Sequence, residues 1–117
     1  MTRRMQNVKI TISRYVDDSF PGVVECRLID ALGREHVFVE KLPIVTVADV
    51  DAASSYPQPG VIRCVVLGAA ETDDGRRLVH IDTAEPDGVE SSAGVSRFDV
   101  LPEQLVGFDP EGDQDEF

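Results

Sequence analysis

The feature that most constrains this chain is the stretch Gly22–Lys41, GVVECRLIDALGREHVFVEK, in which two alternating runs flank a glycine turn. Val24, Cys26 and Leu28 share one face of the first run, and Val37 and Val39 share one face of the second. This period of two marks strands with one buried side. A two-residue turn at Leu32-Gly33 predicts Leu28 opposite Val37 and Cys26 opposite Val39, so that the apolar faces coincide. The same register predicts Arg27 opposite Phe38 and Glu25 opposite Glu40.

The rest of the chain repeats this style. Val8, Ile10 and Ile12 alternate with Lys9, Thr11 and Ser13, which predicts a first strand over Asn7–Arg14 behind a frayed Arg4–Gln6 lead-in. Pro43 limits pairing after the hairpin, and 46–55 holds a weak signal for one helical turn. Tyr56-Pro57-Gln58-Pro59-Gly60 reads as a stiff exposed loop. A second hairpin joins 61–70 to 78–83 across Thr72-Asp73-Asp74-Gly75. Because Arg63 belongs outside, Ile62 and Cys64 face the core with Val79 and Ile81, which places His80 on the outer face. An Asp74-Gly75 type I′ turn sets Gly68 opposite Ile81, whereas a three-residue turn sets Leu67 there. A last strand over Val95–Val100 points Phe98 and Val100 to one side, and Pro102 opens a short helix that sends Leu101, Leu105 and Phe108 over one end of the sheet.

The expected fold is therefore all-β: a small barrel or two-sheet sandwich of about six strands with β-hairpins and one or two short helical turns. Residues 1–108 form one domain, and 109–117, with five acids and no base, form an acidic disordered tail. No signal-peptide pattern or membrane-length apolar run is present, which points to the cytoplasm and to reduced Cys26 and Cys64 thiols buried as small hydrophobes.

The net charge of −11 is unevenly distributed. Seven basic residues face six acids up to Lys41, and four face sixteen beyond it. Such a surface repels nucleic acid and anionic membrane and attracts basic partners. The chain has no phosphate loop, no nucleophile elbow, and no Cys/His spacing suited to zinc, so no cofactor, metal or catalytic residue is expected. In the predicted register His36 faces away from Cys26, and His80 away from Cys64. Glu25 with Glu40, and Glu71 with Asp82, are outward-facing carboxylate pairs.

Three functional readings follow. The first is a non-catalytic domain that docks on a basic protein partner through its acidic surface, in one specific form as an inhibitor or immunity-like protein covering a nuclease-like cleft. The second is a small-ligand-binding barrel or minor hydrolase with a pocket lined by Tyr56, His80 and Arg97. The third is a self-associating domain, a homodimer that covers its own sheet edges. The candidate interaction residues are Tyr56, Arg63, His80, Asp82, Glu90 and Arg97.

Overall fold

Alternation along the chain produces six strands in the computed structural model, which describes residues 4–46, 48 and 50–107. They are β1 (Arg4–Asp17), β2 (Val23–Ile29), β3 (Glu35–Lys41), β4 (Gln58–Glu71), β5 (Arg77–Asp82) and β6 (Arg97–Val100). All pair antiparallel in the order β3-β2-β1-β4-β5-β6. The fold is all-β, as expected, and takes the form of one curled sheet, a half-barrel, rather than two stacked sheets. The expected tail at 109–117, and Phe108, lie outside the described residues.

The two long strands sit at the centre. Val8, Ile10 and Ile12 of β1 and Ile62 and Cys64 of β4 are buried on the concave side, where Val24, Cys26 and Leu28 of β2 and Val79 and Ile81 of β5 join them. Arg4–Gln6, expected to fray, instead pairs with Val66–Cys64. Two register shifts between β1 and β2, at Ile12/Arg14 and Tyr15/Asp17, and one between β4 and β5, at Val66/Gly68, mark bulges that curl the sheet.

The first hairpin differs from its predicted register by one residue. Leu28 lies opposite His36, Cys26 opposite Phe38, and Glu25 opposite Val39. The turn holds three residues, closed by Asp30 N–H to Arg34 O (2.9 Å) and Gly33 N–H to Asp30 O (3.0 Å), with Gly33 at φ 81°. Asp30 sets this length, because its Oδ1 accepts the amides of Leu32 and Arg34, both at 2.9 Å. A one-residue slip exchanges the faces of a strand. Phe38 is therefore fully buried, Val39 is exposed, and His36 turns to the same face as Cys26. Glu40, opposite Val24, leaves the face that carries Glu25, so those acids form no pair.

The second hairpin uses the same device. Thr72 N–H donates to Arg76 O (2.8 Å), Gly75 N–H to Thr72 O (2.9 Å), and Arg76 N–H to Thr72 Oγ1 (3.0 Å), again enclosing three residues. Gly68 thus faces His80, not Ile81, and Leu67 is left in the bulge beside Val66, which pairs with Ile81. The expected burial of Ile62, Cys64, Val79 and Ile81 stands, as does the outward position of Arg63.

Short elements close the open side. A helix, α1, runs over Leu42–Val45, earlier than the 46–55 signal, because Pro43 suits its first turn. Gly60 lets this helix approach β4, since a Cβ there would lie 2.8 Å from Val45 O. A 3₁₀ turn at Pro102–Gln104 brings Leu105 into the core beside Val8, and Gln104 bonds Ile29 O at 2.8 Å. The connection between β5 and β6 reaches the free edge of β3, where Ser92 N–H donates to Val37 O (2.7 Å). Ala31 N–H donates to Asp99 O of β6 (2.8 Å), so the two ends of the half-barrel meet across a seam. Phe38 and His36 of β3 pack edge-on against Phe98 of β6 at 5.7 and 4.6 Å between ring centres.

Candidate functional site

The Asp30 turn and the start of β3 form one wall of a cleft at this seam, and β6 with Leu67 and His80 forms the other. Its volume is about 520 Å³. Two histidine–aspartate pairs meet in it from opposite sides. His36 Nε2 donates to Asp30 Oδ2 at 2.8 Å, and His80 Nδ1 bonds Asp99 Oδ1. Burial pulls the Asp30 carboxyl upward, but the His36 bond and the amides of Arg34 and Leu32 outweigh it and hold the group below the ordinary carboxylate value. Asp30 is thus an ionised acceptor with both oxygens occupied.

Arg34 and Arg97 are the cations of the cleft. Arg97 Nε stands 3.5 Å from Asp82 Oδ2, while Asp82 Oδ1 accepts the Ala84 amide at 2.9 Å. For Asp82, too, burial acts upward, and the Ala84, Ser96 and Arg97 contacts prevail and lower its pKa. The Arg34 guanidinium makes no hydrogen bond or ion pair among the described residues. Around these charges Leu32, Leu67 and Val95 present apolar side chains, 51, 39 and 37% exposed.

Of the six candidate interaction residues, the seam gathers three: His80 and Arg97 line it, and Asp82 backs Arg97. Tyr56 stands elsewhere, with its ring against the core and its hydroxyl donating to Asp51 O at 2.6 Å, so it does not line this cleft. Arg63 grips Asp87 through two bonds of 3.0 and 2.6 Å. Glu90 is exposed on the β5–β6 connection. Glu71 lies at the turn end of β4, opposite Arg77, while Asp82 pairs with Val65 at the other end of the β4–β5 ladder, so these acids do not converge.

Sequence reasoning missed Asp30, Arg34, His36 and Asp99. The usable signal was an aspartate three residues before Gly33, which caps a longer turn and brings His36 round to the seam.

A larger groove of about 730 Å³ runs beside Lys9, Pro43, Ile44, Pro59, Val61 and Arg63. Its cations are engaged, Arg63 by Asp87 and Lys9 Nζ by Glu103 O at 3.0 Å. The seam cleft, in contrast, leaves donors unmet. Cys26 and Cys64 lie in the core away from both, their thiols pushed up to about 12 by burial. Among the described residues no three His, Cys, Asp or Glu side chains converge as metal ligands, and no helix is long and apolar enough to cross a membrane. Comparison with family models, curated proteins and solved structures finds no match to this chain.

Proposed function

We propose that this domain is a non-catalytic binding module whose small-molecule ligand enters the seam cleft. The observation that carries the reading is the unpartnered Arg34 guanidinium beside a cleft rimmed by exposed Leu32, Leu67 and Val95. Binding sites combine apolar walls with a few polar groups left free for the ligand, within roughly 300–1,000 Å³. The lining contains two imidazoles, each tied to a carboxylate, and no serine, threonine or cysteine nucleophile. That composition supports recognition over covalent catalysis.

The test is a fragment screen by amide chemical-shift mapping. Hits are expected to shift Leu32, Arg34, His80 and Arg97 together. A screen whose hits map only to the groove at Lys9 and Pro59, or to no cleft at all, would overturn the assignment.

Docking on a basic protein partner is the second reading, favoured by exposed Asp18, Glu71, Asp73 and Glu90. It has fewer acids to draw on than the net charge suggests. Asp17, Asp30, Asp51 and Asp82 accept backbone amides, and Asp87 and Glu25 hold arginines. Moderate salt would release a partner held by those charges.

A further inference from the structure

We infer that the ligand of the seam cleft is a monocarboxylate with an apolar body, an inference that rests on the binding role proposed above. The acceptors of the cleft are already engaged, save Asp99 Oδ2. The two oxygens of Asp30 take three donors, at 2.9, 2.9 and 2.8 Å, and Asp99 is bonded to His80. The donors are not. A guanidinium carries five N–H groups; those of Arg34 meet no acceptor among the described residues, and Arg97 has one contact at 3.5 Å. A site with surplus donors takes an acceptor-rich group, and the planar guanidinium fork matches a carboxylate through two parallel bonds.

Charge limits the ligand further. Arg34 and Arg97 stand beside three carboxylates, Asp30 and Asp99 in the lining and Asp82 behind Arg97, so each further negative charge on the ligand meets added repulsion. One charge fits better than two, which favours carboxylate over a phosphate monoester. The rim of Leu32, Leu67 and Val95 then covers a hydrocarbon or aromatic body, for which a bare inorganic anion has no counterpart.

The experiment compares 3-phenylpropionate, its amide, the matching amine and 2-phenylethyl phosphate, by calorimetry and amide shift mapping on the full chain. The expected result is saturable binding of the carboxylate at Leu32, Arg34 and Arg97, weakened about tenfold or more by Arg34→Gln and also by Arg97→Gln. Unchanged melting of both variants shows that the fold is kept. If the amide, the amine or the phosphate binds the cleft as well as the carboxylate does, the monocarboxylate class is wrong and the cleft remains a binding site. If the carboxylate binds there with both arginine variants unaffected, the donor argument fails alone. If no compound shifts the cleft, both the ligand class and the binding role fall.

Discussion

The hairpins β2–β3 and β4–β5 close with the same three-residue turn and handle its consequence in opposite ways. Each turn has a capping side chain at its first position, Asp30 or Thr72, a glycine of positive φ, Gly33 at 81° or Gly75 at 84°, and an arginine after it. Each also slips the register one residue from that of a two-residue turn. In the first hairpin the slip runs the length of the ladder and turns β3 over, so Phe38 goes in and Val39 comes out. In the second it stops at the Leu67 bulge, beyond which Val66 meets Ile81 and the core keeps its pattern. A strand apolar on both faces accepts inversion. One with Arg63 on one face and Ile62 and Cys64 on the other needs a bulge instead.

The largest effect should come from the inverted strand. Phe38→Ala is expected to cost about 3–5 kcal/mol in urea unfolding, whereas Val39→Ala should stay within about 0.5 kcal/mol. A larger loss at Val39 than at Phe38 would restore the two-residue register. Next come the caps. Asp30→Ala removes acceptors from two amides and from His36 and should cost about 2–3 kcal/mol, against about 1 kcal/mol for Thr72→Ala. Both should depend on pH, since each cap bonds through a carboxylate whose pKa the fold lowers. The folded state holds the Asp30 carboxyl below its ordinary 3.8, so its contribution is full above that value and is lost as the pH falls through the folded pKa. The gap between wild type and Asp30→Ala therefore narrows in acid, and so does the Thr72→Ala gap, because the Thr72 hydroxyl donates to Asp74 and holds that carboxyl below its ordinary 3.8.

The smallest effect belongs to Glu40, which the inversion of β3 places opposite Val24. Burial raises its carboxyl above the ordinary 4.5, so the ionised form weakens the fold. A raised folded pKa contributes stability below the unfolded value and loses it as the pH rises through the folded one. Glu40→Gln should then stabilise at neutral pH, by no more than about 0.5 kcal/mol, and the gain should vanish below pH 4.5. A destabilised variant would show that Glu40 has a partner the ladder does not supply.

The strands and most of their inward residues were legible, because alternation such as Val8-Ile10-Ile12 is carried by residues that tolerate only one face. Around Val37-Phe38-Val39 alternation carries little information, since both faces are apolar, and a side-chain cap decides the outcome. The candidate site was half legible for the same reason. His80 and Arg97 follow from alternation on β5 and β6, whereas Asp30, Arg34 and His36 depend on the turn. Two histidines more than forty positions apart gave no local sign of a common cleft, which exists because the curled sheet brings its first and last edges together.

The central ladder between β1 and β4 has a kinetic consequence. Each hairpin closes over three residues, but this ladder joins Ile12 to Gln58 and Arg4 to Val66, partners 46 and 62 positions apart, so its loop entropy is the largest in the sheet. Hairpins form in microseconds, and non-local pairings set the pace of β proteins. The two outer hairpins are therefore early and reversible, and the rate of folding is fixed by the encounter of the two longest strands.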